Sequence, residues 1–308
     1  MALSQARLDR LRPRLLRFLA QAPARERVGF DPVQFPRRYR RPEDQEVAGL
    51  VAASLAYGRV EGFVPRVEQL LAGMGPHPGA FVRRLDLAGA RRLLHGFVYR
   101  FNVAADLGVL LLGTGRLLRQ AGSLEPFVSR PLARGQGLHA ALSALVRALR
   151  DIPQRPVEAA LGPARGLGHL LPVPLGPGAA KRLNMYLRWM VRGPDEVDLG
   201  LWRTIPASAL VIPLDTHIGR IARRIGLTDR RTLGWRTAEE ITANLRRIDP
   251  DDPVRFDFAL CHHGMSGICT PRARAVACAG CLLRPECRVG SRLVPVRRRP
   301  AAASASPG

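Results

Sequence analysis

Lysine is nearly missing from this chain of 308 residues: of its 48 Lys and Arg side chains, 47 are arginine and only Lys181 is lysine. Lysine is normally among the common residues, so the sole exception is a position worth following. Acidic residues are also few, 25 against 48, which leaves a formal charge of +23. That excess points to a polyanionic partner, and nucleic acid is the usual one. Five cysteines are too few for a disulfide scaffold. No run of 18 apolar residues exists, so no spanning helix is expected; the best stretch, Val103 to Gly115, is short and broken by Asp106. Arginines at positions 7, 10, 12, 14 and 17 interrupt any apolar signal core. A cytoplasmic, nucleoid-associated monomer with no membrane partner is therefore expected. The hydrophobic fraction of 46% excludes a mostly disordered chain. A chain of this length forms one large or two modest domains and can bury roughly three-quarters of its unfolded surface.

What is present is helical periodicity. Leu8, Leu11, Leu15, Leu16 and Leu19 recur at helical spacing over 4–20. Pro42-Glu43-Asp44 opens the next helix with acids in its first turn, through Val47, Leu50, Val51 and Leu55. Gly58 interrupts it, and Val60 to Leu71 reads as another. Segments 103–120, 137–150, 179–192, 216–225, 236–247 and 253–262 are also helical by pattern. Strand alternation is scarce. Residues 151–178, rich in Pro and Gly, read as a linker or a set of rigid turns. The fold class is all-α with two lobes. The tail, with Arg292, Arg297, Arg298 and Arg299 followed by Pro, Ala and Ser, reads as disordered.

Cys269, Cys278, Cys281 and Cys287 have the spacing C-x8-C-x2-C-x5-C. Four thiolates within one short stretch can close around one metal centre without long-range assembly. They suit a [4Fe–4S] cluster, which is preferred, or a structural zinc. His262 and His263 are alternative zinc ligands, and Cys261 reads as a buried helix residue.

Gly176-Pro177-Gly178-Ala179-Ala180-Lys181-Arg182 reads as a glycine turn entering a helix. Glycines let backbone approach a phosphate, and the helix start offers free N–H groups and a positive dipole end. Lys181 is expected about one turn into this helix, on a polar stripe with Asn184, Arg188 and Arg192, opposite Leu183, Leu187 and Met190. The dipole and Arg182 are expected to lower its pKa. An amine so activated can form a Schiff base, whereas arginine stays protonated. Asp215, before Ile218, Ile221 and Ile225, is a candidate helix N-cap.

Several of these segments resemble the helix-hairpin-helix DNA glycosylases, endonuclease III in particular. Cys261-His262-His263-Gly264 and the following cysteines look like that family's C-terminal metal loop, with a first gap of eight residues here. The turn at Gly176 and Gly178 resembles the hairpin that grips a DNA phosphate. Lys181 follows it much as the family's Schiff-base lysine does, one residue later. Pro213-Leu214-Asp215-Thr216-His217 looks like the segment carrying the family's catalytic aspartate. Residues 46–71 resemble its early helix pair, where residues at the break wedge into the base stack; Tyr57-Gly58-Arg59 holds that place here. Tyr99-Arg100-Phe101 and Arg188-Trp189-Met190-Val191-Arg192 have no counterpart there. With the Pro-Leu-Asp-Thr-His segment, they are similar to an uncharacterised bacterial family.

The resemblance implies a DNA repair glycosylase and abasic-site lyase acting on damaged bases in double-stranded DNA. Lys181 and Asp215 would be catalytic, and Tyr57, Arg59, Gly176, Gly178, Arg182 and Arg188 would contact DNA. The cysteines would hold a structural cluster whose loop brings Arg272, Arg274 and Arg284 to phosphate. Expected boundaries are an N-terminal helix at 1–45 packing on the C-terminal lobe, a helical lobe at 46–204, a C-terminal lobe at 205–290 and a tail at 291–308. Residues 193–212, with Asp195, Asp198 and Trp202, count as an insertion. The alternatives are a catalytically inactive nucleic-acid-binding protein that keeps the fold, and a zinc-stabilised adaptor.

Overall fold

The computed structural model describes residues 3–172, 176 and 178–293. The expected disordered tail thus falls almost wholly outside the described residues, as does Pro177 of the glycine turn. Among the described residues helices dominate, with one two-stranded sheet. No helix among them is long and apolar enough to cross a membrane.

The Pro42–Leu55 helix is the central strut. Its proline occupies the first turn, where a missing N–H costs nothing, and Glu43 and Asp44 face the positive end of the helix dipole. From Glu46 to Leu55 every side chain is buried, so it packs on all sides. Gly58, at φ 81°, ends the run and lets the chain re-enter a helix at Val60–Met74. The Lys181–Val191 helix crosses the strut, and Gly49 leaves room for Met190 and Tyr186 against it. One continuous apolar core extends from Leu3 to Leu283. The N-terminal Gln5–Ala20 helix buries Leu8, Leu11, Leu15 and Phe18. It is tied to later parts of the chain through Leu3 N–H on Asn244 Oδ1 (3.1 Å) and Arg7 on the Ile225 carbonyl (3.2 Å).

Several regions depart from the sequence expectation; besides short helices such as Pro78–Arg84, Leu87–Leu93 and Pro126–Ala133, three matter most. Residues 151–178 contain two short helices, Gln154–Leu161 and Leu167–Leu170. Pro153 and Pro156 sit at the cap and first turn of the former, where proline is tolerated, so they start a helix rather than forbid one. A hairpin, unforeseen, pairs Val98–Tyr99 antiparallel with Asn102–Val103 around Arg100-Phe101. The helix placed at 253–262 runs instead over Asp257–Met265.

Residues 193–212, counted above as an insertion, are anchored in the core. They hold only a short 3-10 turn, Ala207–Ala209, yet Asp198 and Trp202 are buried. Trp202 Nε1 (2.7 Å), Ser123 Oγ (2.7 Å) and the Leu124 N–H (2.9 Å) all donate to Glu46 Oε1. Burial pushes the Glu46 carboxyl above its ordinary pKa, although these donors oppose the shift.

Candidate functional site

A cavity of about 620 Å³ opens beside the Lys181–Val191 helix, and Lys181, Asp215, Asp257, Cys261, Tyr57 and Ser54 line parts of it. Lys181 is the first residue of its helix, not one turn inside it. The residue before it, Ala180, adopts the left-handed conformation (φ 47°, ψ 39°) and offers no side-chain cap. A non-glycine residue held there is strained, and such strain persists only where the surroundings fix it. Buried Asn184 helps to do so: its Nδ2 donates to the Ala179 carbonyl at 3.0 Å. Gly178, exposed, bridges to Gly234 across the mouth of this segment, and Gly176 is also exposed.

Asp215 arrives from 34 residues downstream as the N-cap of the Thr216–Ile225 helix. Its Oδ1 accepts the Ile218 N–H at 2.8 Å, and its Oδ2 lies 3.0 Å from Lys181 Nζ. Capping therefore fixes one oxygen and leaves the other for the amine. Gly264 makes the approach of the next helix possible: a Cβ there would lie 2.6 Å from His217 Cβ. Arg220 donates to His217 Nδ1 (3.0 Å) and to the Gly264 carbonyl (3.0 Å), joining the same two helices. Because arginine can only donate, Nδ1 is the acceptor and the His217 proton is assigned to Nε2.

The electrostatics correct the expected lysine. Burial, the largest single influence, pulls the Lys181 ammonium down, but the Asp215 carboxylate beside it, Cys261 and Asp257 together outweigh burial, and the pKa ends above its ordinary value. Burial raises Asp215, while Lys181 and the Ile218 N–H lower it further, so its pKa ends below the usual range. The pair is ionised at neutral pH. Arg182, the sequence neighbour expected to repel the ammonium, points elsewhere. It donates to the Ser54 carbonyl at 2.6 Å and to the His169 carbonyl, under the Tyr57 ring.

Arg182 and Arg188, both expected on DNA, have partners within the protein. Arg188 is buried at 3% exposure and pairs with Asp198 (3.2 Å) and Asp257. Arg192 pairs with Asp252 (2.8 Å) and with Asp198. The far half of the expected polar stripe, Arg188 and Arg192, is thus an ion-pair seam against Asp198, Asp252 and Asp257. Asp257 Oδ1 has no hydrogen-bond partner among the described residues, and burial raises its carboxyl pKa to about 6 against the opposing pull of Arg188.

Tyr57 is at the cavity rim but is not free. Its hydroxyl lies 2.7 Å from Asn102 Oδ1 and 2.9 Å from the Tyr99 carbonyl, and the Tyr99 hydroxyl donates to the Tyr57 carbonyl in return. Burial pushes the Tyr57 hydroxyl pKa up to about 12. Arg59 is exposed beside it, where a phosphate can reach it.

Sequence reasoning missed Asp257 and the role of Cys261 here. The Cys261 thiol is 3.8 Å from Asp215 Oδ2 in the cavity wall, and burial raises its pKa well above the ordinary value. The four-residue step from Asp257 to Cys261 puts both on one helix face, the one signal available in advance.

Cys269, Cys278, Cys281 and Cys287 line a second, small cavity together with Arg224 and Gly290. All four are free thiols. Among the described residues no three His, Cys, Asp or Glu side chains come together closely enough to hold a single metal ion. The surroundings nevertheless suit sulfur ligands of a larger group. Arg224 donates to Cys269 Sγ at 3.1 Å, and the Gly290 N–H to Cys287 Sγ at 3.1 Å. A Cβ on Gly290 would sit 3.3 Å from Cys287 Sγ and 3.6 Å from Cys278 Sγ, inside the cradle. His263 Nε2 is 3.6 Å from Cys281 Sγ, whereas His262 is buried and turned to Asp31 (3.3 Å). Arg284, expected on phosphate, instead donates to the Gly290 (3.2 Å) and Leu293 (2.7 Å) carbonyls and closes the loop.

No curated protein and no solved structure matches this chain. Apart from Phe30, the residues that line the Lys181 cavity lie within one family match, and the four cysteines lie beyond it. That match, to the family described as Protein of unknown function (DUF2400), covers residues 31–266, and the chain belongs to this family.

Proposed function

We propose that the protein is a lysine-dependent DNA N-glycosylase and abasic-site lyase. The observation that carries the reading is the contact of 3.0 Å between the sole lysine of the chain and a capped aspartate in a cavity of about 620 Å³. The charge of +23 supplies attraction for the phosphate backbone. Chemistry on a base requires it to leave the stack and enter a pocket.

The resting Lys181 is an ammonium and cannot attack. Asp215, at hydrogen-bond distance, takes its proton as substrate excludes water. The neutral amine then bonds to C1′ while the glycosidic bond breaks and its electron pair leaves with the base. The proton held by Asp215 returns to that base. One proton then passes from the substituted amine to O4′ as the C1′–O4′ bond opens, which gives the protonated imine, from which elimination can cut the strand. Cys269, Cys278, Cys281 and Cys287 would hold a [4Fe–4S] cluster. The group supplies rigidity to the loop that packs on the Thr216–Ile225 helix.

Borohydride trapping tests the proposal. Wild type gives a covalent adduct with duplexes bearing a damaged base or abasic site, and Lys181→Gln gives none. An adduct that survives in Lys181→Gln removes the nucleophile. Salt-sensitive duplex binding without an adduct on any lesion gives the non-catalytic nucleic-acid-binding reading instead.

A further inference from the structure

The hairpin beside Tyr57, a residue of the cavity lining, takes no part in the proposed chemistry. Its turn is built on Arg100, at φ 51°, a conformation that side chains other than glycine adopt only under constraint. The constraint is visible. Tyr57 and Tyr99 exchange hydrogen bonds across to the 55–60 break, and Gly58 lies so close that a Cβ there would be 2.8 Å from Arg100 and 3.0 Å from the Tyr99 hydroxyl.

What this locked turn holds out is apolar. Phe101 is 58% exposed and Val98 53%, on a chain whose large apolar side chains are mostly buried. The inner side of Phe101 is backed by rings. It lies nearly parallel to Tyr57 (15°, centroids 6.4 Å apart) and tilts against His169 at 5.1 Å. The Arg100 guanidinium stands 5.6 Å from its centroid. His169 is kept neutral here, since burial and then Arg182 and Arg100 lower its pKa. Tyr57 in turn lines the cavity that holds Lys181 and Asp215. A rigid, exposed ring thus stands next to the reactive pocket, flanked by exposed Arg59 and Arg100.

We infer that Phe101 is a stacking wedge for duplex DNA: its exposed face packs on a base exposed where a neighbouring nucleotide has left the helix, while Arg59 and Arg100 meet the flanking phosphates. The inference rests on the nucleic-acid reading above and deepens it. It also relocates the wedge from Tyr57, whose hydroxyl and ring are both engaged, to the hairpin. Every base has a π face, so the contact tolerates any sequence and adds to backbone electrostatics.

The test uses the full chain and two duplexes, one intact and one with a tetrahydrofuran abasic analogue beside 2-aminopurine. Anisotropy reads affinity, and 2-aminopurine fluorescence reads unstacking. Wild type is expected to bind the abasic duplex more tightly and to change the 2-aminopurine signal. Phe101→Ala should lose that signal change and on the order of tenfold in affinity for the abasic duplex. Its affinity and salt slope on the intact duplex should stay as in wild type. Phe101→Trp should restore both losses. Wild-type binding with no 2-aminopurine response, or Phe101→Ala equal to wild type on both duplexes, overturns the wedge alone. No binding by wild type to either duplex overturns the nucleic-acid reading and the wedge with it.

Discussion

Replacing Asp215 with asparagine separates the two jobs of this side chain. Asparagine caps helices about as well as aspartate, so the Ile218 contact and the fold should survive, whereas alanine should lose about 1 kcal/mol of stability. The charge is what asparagine removes. At 3.0 Å the Lys181–Asp215 attraction is about 5 kcal/mol for an effective dielectric near 20; the Lys181 side chain is 36% exposed, and solvent screening reduces this to about 2–3 kcal/mol. Burial, which pulls Lys181 down, is then less opposed. The composition makes this measurable, because reductive methylation with a ¹³C label marks one lysine, Lys181, and the α-amine. In wild type the Lys181 resonance should titrate above the ordinary lysine value, and in Asp215→Asn at lower pH. An unchanged titration in Asp215→Asn would refute the electrostatic account. The stability linkage follows the same signs. Asp215 is lowered in the fold, so its contribution is present above the ordinary carboxylate value of about 3.9 and is lost as pH falls through its lower folded value. Lys181 is raised, so its contribution is present below about 10.4 and is lost as pH rises through its higher folded value.

Three other perturbations are equally direct. Glu46→Leu leaves the Ser123, Leu124 and Trp202 donors without their acceptor and should cost about 3 kcal/mol or more in urea unfolding; an unchanged midpoint would show that residues 193–212 are not anchored there. Gly264→Ala puts a methyl 2.6 Å from His217 Cβ and should destabilise by about 1–3 kcal/mol while weakening borohydride trapping, as the segment carrying Asp215 shifts. Gly290→Val fills the cradle next to Cys287 and Cys278. Iron content and brown absorbance should fall in that variant; a colourless wild type containing zinc would replace the iron–sulfur assignment.

The helices were legible because their signals are local. Apolar spacing marked Gln5–Ala20 and Pro42–Leu55, and the Asp215 cap with its isoleucines marked Thr216–Ile225 to the residue. The Lys181 helix was legible in extent but not in orientation. Its polar residues recur on one side, and periodicity alone reads such a side as solvated. Arg188 and Arg192 instead meet Asp198, Asp252 and Asp257, whose positions no local rule relates to them. The Val98–Val103 hairpin was hidden because its turn uses arginine where glycine is the usual signal.

Composition alone determined that the chain carries a large positive charge and spends lysine only once, and the order of residues determined its helices and its cysteine spacing. It also singled out Lys181 and Asp215 separately. Only the tertiary structure decided that they meet, that Asp257 and Cys261 join them in the cavity wall, that Arg188 is interior and that Arg182 is held by backbone carbonyls. The reason is physical: propensity and periodicity act over a few residues, whereas the protonation of an amine depends on which charges the whole chain brings within a few ångströms of it.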